Sequence, residues 1–511
     1  MVKEEPLRSI AKGAIIVFVG VFISKIFSFL YRLIVARVGA QEYGTLSIAL
    51  AVYGMVVIAA LLGINQGILR NAAYYKSTGE EKKLKGAITG SLKITTLTSI
   101  FLAAGLFIFS DKIAVGIFKN EQLGILLKII SFVIPFDVLR SNLFSIARVF
   151  DKIKYETYAK NITENSVKVI ITIVLLWLGF GIVGATWAFA VAILVSFILI
   201  AYYTQKKVYP ILRNKVIAIE NNIALLVYSV PLVLNTLILL AINWTDTIIL
   251  GIYSSAEDVG IYNSAVPTAQ LTYVVTSAIL SLFLPILTHL YAQKKDDEFK
   301  GTFKVVTKWI ILANLIPLTL FIIMPEEVLG ILFGKVYMSG GLALSILTIG
   351  YFIHHLALTA NNTLLVFKKT NTVFIISLIG AILNLTLNIL LIPSYGIIGA
   401  SIATAISLFA IAATTIFIAR KTTKINQFDS RILRAIIAVS LSAILLILVK
   451  SQVNEEILRL MFGGGVFIAS YLALLLITKT LEREDLVFIS LIQTKTGIRI
   501  EKLNRIVRRF L

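Results

Sequence analysis

The sequence predicts an all-α polytopic membrane protein with 14 transmembrane helices, arranged as two six-helix lobes in parallel repeat plus two extra C-terminal helices. Three observations support this fold class. Of the 511 residues, 58% are hydrophobic, and the mean hydropathy is +0.91. The apolar residues form runs of about 18–25 residues, which are long enough to cross a bilayer core of about 30 Å. The two halves of the chain also resemble each other at a nearly constant offset.

The apolar runs define the predicted spans in order. The first run contains "FISKIFSFLYRLIVARVG" at 22–39. It carries internal charges and lacks a small-residue cleavage site, so we interpret it as a membrane helix rather than a signal peptide. The fourteen predicted spans cover residues 14–36, 43–65, 87–109, 123–147, 162–180, 182–203, 223–244, 261–287, 305–325, 341–367, 372–392, 396–419, 433–449 and 458–478.

The basic residues indicate the topology. The formal net charge is +21, and most of the 48 lysines and arginines lie in alternate connections between the spans. When the N-terminus is placed in the cytoplasm, these basic connections all fall on the cytoplasmic side, as the positive-inside rule requires. We therefore expect a multi-pass protein of the cell membrane with both termini cytoplasmic. This segregation explains the charge without a nucleic-acid partner.

The repeat is visible in four pairs of segments. Each segment in the first half has a counterpart in the second half, and the offset between the two is nearly the same for every pair. Because six spans separate the copies, both keep the same orientation, which is the parallel arrangement found in transporters with two matching halves. The pairs are "AQEYGTLSIA" (40–49) with "AEDVGIYNSA" (256–265), "LKGAI" (84–88) with "FKGTF" (299–303), "DKIAVGIF" (111–118) with "EEVLGILF" (326–333), and "GFGIVGATWAFAVA" (179–192) with "SYGIIGASIATAIS" (394–407).

These observations divide the chain into four parts. Residues 1–215 form the N-lobe with spans 1–6, residues 216–430 the C-lobe with spans 7–12, and residues 431–480 the two extra spans. Residues 481–511 form a cytoplasmic basic tail, in which "IRIEKLNRIVRRF" at 498–510 places apolar side chains on one helix face and cations on the other. Such a helix is expected to lie on the anionic inner leaflet, so membrane lipids are predicted partners. A solvated basic tail is the alternative. We expect the chain to act as a monomer.

Composition excludes several functional classes. The chain has no cysteine, so disulfides, thiol catalysis and cysteine-bound metals are excluded. No phosphate-binding GxxxxGK[ST] loop is present, and the outer connections are too short for a catalytic domain. We therefore predict a transporter rather than an enzyme, without a cofactor.

Charged side chains inside the predicted spans are the first candidates for substrate binding. Lys25 and Arg32 lie two helical turns apart in span 1, and Arg140 lies in span 4. Charges at this depth are costly and usually face a cavity or a partner. A cationic cavity would suit an anionic substrate, phosphate above all. His354 and His355 lie at the depth equivalent to Arg140 under the offset of the repeat, and we include them in this candidate site.

Other roles remain open for these residues. The Lys25 side chain can extend towards the inner interface. Arg140 can pair with Asp137 one turn earlier on the same helix. The two histidines can form hydrogen bonds between helices. Neither extension to the interface nor an intrahelical pair is open to Arg32, because it lies past the middle of its span.

A second candidate site consists of oxygen donors. Asp246 lies in span 7, Asn384 and Asn388 are one turn apart in span 11, and Thr404 lies in span 12. One carboxylate with three neutral donors suits Na⁺, or a proton on Asp246. The alternative is that these residues only hold helices together through polar contacts.

The chain resembles the polysaccharide flippases, or Wzx-type lipid-linked oligosaccharide flippases, of the multidrug/oligosaccharidyl-lipid/polysaccharide exporter superfamily. The segments that carry the resemblance are "FVGVFISKIFSFLYRLIVARVGAQEYGTLSIA", "GINQGILRNAA", "SSAEDVGIYNSA", "SLFLPILTHL" and "YGIIGASIATAIS". The resemblance implies two lobes around a cationic cavity for a pyrophosphate-linked sugar headgroup, with Lys25, Arg32 and Arg140 in it. It also implies a sodium site at Asp246, Asn384 and Thr404, where Asn388 replaces a second acid. Spans 13 and 14 would form a groove for the lipid tail, with Arg434 and Arg459 at their ends.

The predicted function is therefore that of a flippase. It would move a lipid-(pyro)phosphate-linked oligosaccharide from the cytoplasmic to the outer leaflet by alternating access, driven by a cation gradient, the membrane potential or both. The alternative is a cation-coupled multidrug antiporter of the same superfamily. The excess of buried cations argues against the antiporter, because cationic drugs need acidic cavities.

Overall fold

The computed structural model describes residues 4–214, 216–426 and 431–480, and within them every regular element is a helix. The side-chain surroundings are described for all of these residues except 4–19, 224, 230–243 and 282. In the first half of the chain the α-helices are α1 (Glu4–Ala36), α2 (Ala40–Leu61), α3 (Ile64–Thr78), α4 (Glu81–Gly116), α5 (Glu121–Val149), α6 (Ile153–Glu156), α7 (Asn165–Trp177), α8 (Gly181–Tyr203) and α9 (Asn222–Tyr253). In the second half they are α10 (Ala256–Ala269), α11 (Thr272–Ala292), α12 (Asp296–Ile323), α13 (Pro325–Leu332), α14 (Gly341–Val366), α15 (Thr370–Thr423), α16 (Ile432–Gln452) and α17 (Glu456–Ile477).

Short stretches of other helix types join these elements. Two π-helical segments, Thr157–Glu164 and Thr204–Val208, adjoin α7 and α8, and a 3₁₀ helix, Lys335–Gly340, precedes α14. π-helical segments are uncommon and often occur at functional sites. The segment Thr157–Glu164 is important below because it ends on a buried acidic residue.

The chain is a multi-span membrane protein. Ten helical stretches of the described residues are long and apolar enough to cross a bilayer. One of them, α15, covers predicted spans 11 and 12 together and is broken at Gly396 (φ 51°, ψ −129°). Predicted spans 1, 5 and 7 overlap α1, α7 and α9, which are not among the ten. The all-helical class is confirmed, and the number fourteen stays a prediction.

The repeat is reflected in the positions of the elements. α2 and α10 begin at equivalent positions of the two copies, and so do α4 and α12. Gly181 and Gly396, which are also equivalent, both have a left-handed φ, of 52° and 51°. Glycine reaches this region without the steric cost of a Cβ. The motif therefore places a left-handed glycine at the same position in both copies.

The chain divides into two compact units, Met1–Asn263 and Ser264–Leu511. Within the first unit, α9 packs against α2, α3 and α4, so that unit extends beyond the predicted lobe boundary at residue 215. Its core includes Ile64, Ile88 and Ile146 of three neighbouring helices, all fully buried. The predicted four-part division stays a prediction, and the tail 481–511 lies outside the described residues.

The connection between α8 and α9, residues 209–221, lies against α4. Lys85 donates a hydrogen bond to the carbonyl of Val216 (2.8 Å), and the Ile219 N–H donates to a carbonyl in the first turn of α4 (3.0 Å). A Cβ on Gly86 would lie 1.9 Å from the carbonyl oxygen of Ile219. The absence of a side chain at Gly86 therefore allows this segment to sit directly on the helix.

The N-terminal ends of α2 and α10 cross in close contact within the first unit. A Cβ on Gly44 would lie 1.7 Å from the carbonyl oxygen of Ala256, and one on Gly260 would lie 1.9 Å from that of Ala40. Gly44 and Gly260 are equivalent positions of the repeat, as are Ala40 and Ala256. The contact is thus reciprocal between repeat-related residues, and no larger side chain fits at either glycine.

In the second unit, α16 and α17 pack against α12. The buried Tyr471 hydroxyl donates to the carbonyl of Leu312 (3.1 Å). At one end, Glu327 of α13 accepts from Arg459 of α17 (2.9 Å) and lies 3.2 Å from Nζ of Lys450 of α16. The two C-terminal helices are therefore fixed to the rest of their unit by both apolar packing and ion pairs.

Candidate functional site

Arg32 lies in α1 and faces the crossing of α2 and α10. Its Nη1 donates to the hydroxyl of Tyr43 (3.5 Å), and that hydroxyl donates to the backbone carbonyl of Asn263 (3.0 Å). The Asn263 carbonyl is available because Pro267, one turn later in α10, has no N–H to donate to it. Arg32 is half-buried and forms no ion pair among the described residues, and Lys25 two turns earlier is exposed.

Arg140 has different surroundings. It is 6% exposed, and its Nε donates to Asp137 (2.9 Å) while its other guanidinium nitrogens bond to Asp137 and to Glu164. Asp137 also accepts a hydrogen bond from Tyr53. The intrahelical pairing that the i, i+3 spacing allows is present, and a second carboxylate completes it. The guanidinium of Arg140 is thus held by protein carboxylates in this structure.

Glu164 was not among the residues singled out from the sequence. It is the last residue of the π-helical segment Thr157–Glu164, and Lys168 follows it one turn later. The Lys168 ammonium lies 5.0 Å from the ring centre of Tyr31, which is a cation–π distance. The sequence did show that Glu164 is an acidic residue inside predicted span 5. Its partner was not visible, because no local spacing connects residues 140 and 164.

His354 and His355 lie in α14 of the second unit among aromatic rings. The ring centre of His355 is 5.5 Å from that of Tyr273 and 6.2 Å from that of Tyr351. His355 is 2% exposed. His355 of the predicted pair therefore lies beside two tyrosine rings, and the His354 ring centre is 6.3 Å from that of His355.

The oxygen donors of the second candidate site fall in two groups. Asp246 belongs to the first unit, is 6% exposed and accepts a hydrogen bond from Tyr262 (2.5 Å). Asn384, Asn388 and Thr404 belong to the second unit and are buried together. There Asn388 donates to Asn384 (3.1 Å), and Asn384 donates to Thr404 (3.2 Å).

The second group fits a hard cation only in part. Neutral amide and hydroxyl oxygens are suitable ligands for such an ion. However, the Asn384 oxygen already accepts the Asn388 amide, and none of the three residues carries a charge. Among the described residues, no cluster of three or more histidine, cysteine or acidic residues could hold a metal ion.

Glu327 lies outside the membrane spans and has a shifted pKa. Burial by itself raises the pKa of Glu327, but hydrogen bonds from Arg459 and Lys450 outweigh this effect and bring the pKa below its usual value. The carboxylate is therefore charged at neutral pH and joins α13 to α16 and α17.

Known proteins share this architecture. A membrane protein of Methanocaldococcus jannaschii is 24% identical over 88% of this chain and 92% of its own. The "Putative O-antigen transporter" of Shigella flexneri is 23% identical over 71% of this chain and 86% of its own. The solved structure of "Lipid II flippase MurJ, inward closed conformation" matches with a TM-score of 0.72 at 17% identity, over 93% of this chain and all of that chain.

Two sequence families match the chain. The family described as "MatE" matches residues 231–390. The family described as "Polysaccharide biosynthesis protein" matches residues 10–291, which is more than half of the chain. The resemblance stated from the sequence is thereby confirmed. The chain belongs to the polysaccharide biosynthesis protein family of the multidrug/oligosaccharidyl-lipid/polysaccharide exporter superfamily.

Proposed function

We propose that the protein is a flippase, which moves a lipid-(pyro)phosphate-linked oligosaccharide from the cytoplasmic to the outer leaflet of the cell membrane. It works by alternating access as a monomer, with both termini cytoplasmic, and it performs no covalent chemistry. Family membership and the names of the relatives, an O-antigen transporter and a lipid II flippase, support a lipid-linked glycan as the cargo.

The observation that carries the proposal is that no described carboxylate compensates the charge of Arg32. A guanidinium deep in a membrane helix is costly unless it faces water or a partner. Arg32 is half-buried, and its described contact is a neutral phenol, so its charge is not compensated by a carboxylate. The fork of a guanidinium matches phosphate oxygens in two-point hydrogen bonds. Arg32, with Lys25 on the same helix, is therefore the proposed phosphate contact.

Arg140 receives a different role in this proposal. Because Asp137 and Glu164 already occupy its guanidinium, it holds α5 against the π-helical segment Thr157–Glu164 instead of binding phosphate directly. His354 and His355 are proposed to contact the neutral part of the substrate, as developed below.

Asp246 is the proposed site of the coupling ion, either a proton or Na⁺, and the contribution of Asn384, Asn388 and Thr404 stays a prediction from the sequence. An inside-negative potential of about 100 mV favours outward movement of one negative charge, or entry of one cation, by about 2.3 kcal/mol. Exchange of an anionic headgroup for an entering cation therefore needs no ATP.

The test uses proteoliposomes with a labelled lipid-diphosphate glycan. We expect Arg32→Ala to weaken binding and flipping, and Asp246→Asn to remove only the ion dependence. Lys83→Ala is the control, since Lys83 forms an exposed pair with Glu80 outside the spans. Unchanged binding by Arg32→Ala would exclude the cationic site. Full flipping without any gradient or potential would exclude the coupling.

The second candidate function is multidrug antiport, which the match of residues 231–390 to the "MatE" family favours. It would require a cationic drug to bind beside Arg32, against charge repulsion. Efflux of a cationic dye from cells that express the chain would support this alternative, and Arg32→Ala would then increase dye binding.

A further inference from the structure

The membrane stretch of α10 and α11 is interrupted near its middle. α10 ends at Ala269 and α11 begins at Thr272, and Gln270 and Leu271 form a turn between them. Leu271 keeps helical dihedral angles (φ −57°, ψ −29°), and the N–H of Tyr273 donates to the carbonyl of Gln270 (2.9 Å), three residues earlier, so the break is a 3₁₀-like turn within one helical stretch. Such a turn inside a helix often marks a functional hinge.

Polar and aromatic side chains gather at this break within the second unit. The Gln270 amide nitrogen donates to the hydroxyl of Tyr351 (2.9 Å). The rings of Tyr273 and Tyr351 both lie beside the His355 ring. We call Gln270, Tyr273, Tyr351 and His355 the break cluster. It joins residues from α11, α14 and the connection between α10 and α11.

The cluster has unused hydrogen-bonding capacity. The Nδ1 atoms of His354 and His355 are buried, and neither has a hydrogen-bond partner among the described residues. Buried polar atoms are almost always paired, so an unpaired one needs an explanation, such as an absent ligand. His355 itself is 2% exposed, which places its unpaired nitrogen well away from bulk solvent.

The cluster is also accessible from one side. Tyr273 is 44% exposed, and Ser277 and Ser281 follow it at one-turn intervals on the same helix face. The hydroxyls of Ser277 and Ser281 donate to the carbonyls of Val274 and Ala278 in the same helix, and each keeps the capacity to accept a hydrogen bond from a ligand or from water. A ligand arriving along this face would meet the Tyr273 ring first and the buried imidazole behind it.

The chemistry of the cluster indicates the ligand. It carries no lysine, arginine or acidic residue, so it offers nothing that would favour a phosphate. It does offer amide, phenol and imidazole groups, which donate to and accept from hydroxyl groups. Two ring faces with negative potential complement the polarised C–H face of a sugar ring.

We propose that the break cluster is a sugar-recognition subsite, in which Tyr273 stacks on a sugar ring while Gln270 and His355 bond its hydroxyl or acetamido groups. This inference rests on the proposed function and deepens it. The proposed function concerns the phosphate part of the substrate at Arg32, and this inference concerns the glycan part alone. The position equivalent to Arg140 thus serves sugar recognition in the second copy of the repeat.

The test compares two ligands of the purified protein. One is the lipid-diphosphate glycan extracted from the organism that encodes the chain, and the other is the bare polyprenyl diphosphate. We expect Tyr273→Ala to weaken binding of the glycan lipid about threefold to tenfold and to leave binding of the bare lipid unchanged. Tyr273→Phe should retain most of the affinity because it keeps the ring, and Gln270→Leu should lower it.

Two controls separate the possible failures. Tyr395→Ala removes an exposed tyrosine of α15 outside the cluster and should change neither affinity. Arg32→Ala should weaken both ligands. Equal effects of Tyr273→Ala on both ligands, or no effect on either, would overturn the subsite and leave the flippase assignment intact. A wild-type protein that binds neither ligand would overturn the proposed function and the subsite together.

Discussion

At the scale of single residues, the chain accommodates buried cations in two ways. Arg140 is enclosed by Asp137 and Glu164, so its charge is neutralised within the protein. Arg32 contacts a phenol instead and keeps its positive charge uncompensated by any described carboxylate. The two arginines look alike in sequence, yet one is a structural ion pair and the other is the proposed ligand contact.

The ion pairs of Arg140 lead to a stability prediction. Arg140→Gln leaves two buried carboxylates without their partner, and the loss of one member of a buried pair costs about 3–5 kcal/mol. We expect a corresponding decrease in the free energy of unfolding in detergent. Adding Asp137→Asn and Glu164→Gln should restore most of it, because the uncompensated charges are then removed. A wild-type stability for Arg140→Gln alone would contradict the network.

Glu327 leads to a prediction about pH. Its pKa is lowered in the folded state, so its contribution to stability is present above the usual glutamate pKa and is lost as the pH falls through the lower, folded value. We expect the thermal unfolding temperature to fall as the pH is lowered below about 4. Glu327→Gln should reduce stability at neutral pH and flatten this part of the profile. An acid profile identical to that of the wild type would show that another group is responsible.

Sequence reasoning identified these residues only as far as local spacing allows. The pairing of Asp137 with Arg140 follows from their i, i+3 spacing on a helix. The partner Glu164 lies on a later element of the chain, and the π-helical segment that it ends changes the register of its side chain, so no periodic pattern could place it. Tyr43 and Asn263 meet through a tertiary contact between helices that are far apart in sequence.

At the scale of elements, hydropathy located the membrane stretches well, and it was less reliable at their interruptions. The apolar pattern separated spans 11 and 12, and the non-helical dihedral angles of Gly396 (φ 51°, ψ −129°) divide α15 into two helices at the same place. The α-helical part of predicted span 5 contains only the 13 residues of α7, and a π-helical segment precedes it. Composition detects the length of an apolar run, and the backbone geometry inside that run depends on packing.

The crossing of α2 and α10 makes an element-scale prediction. Gly44→Val places a side chain where the Ala256 carbonyl lies, so the crossing cannot form as observed. The chain contains no cysteine, so spin labels can be attached uniquely at Gln41→Cys and Glu257→Cys. We expect the label distance measured by pulsed electron paramagnetic resonance to increase in the Gly44→Val background.

The matched control for this experiment is Gly105→Val in α4, where a Cβ meets nothing within 4 Å. The control should leave the label distance unchanged. If Gly44→Val also leaves the distance unchanged, the two helices do not depend on the small residues at their contact.

At the scale of the whole molecule, the sequence repeats one unit, and departures from the repeat indicate candidate functional positions. The left-handed φ of Gly181 and Gly396 is the same in both copies. The surroundings of Arg140 and His355 are not: the first copy has an ion network, and the second has the break cluster. The repeat was detectable from sequence because it preserves small residues in order. Its functional divergence was not, since it depends on side chains from several helices.

The segment 209–221 gives two equivalent positions of the repeat different surroundings. Gly86 and Gly301 occupy the same place in the motifs "LKGAI" and "FKGTF", but only Gly86 lies under another stretch of backbone, and a Cβ on Gly301 meets nothing within 4 Å. A survey of tolerated substitutions should therefore be asymmetric, with alanine accepted at Gly301 and rejected at Gly86. Two glycines at equivalent positions of the repeat are thus under different steric constraints, because a connecting segment lies across Gly86 and a Cβ on Gly301 meets nothing within 4 Å.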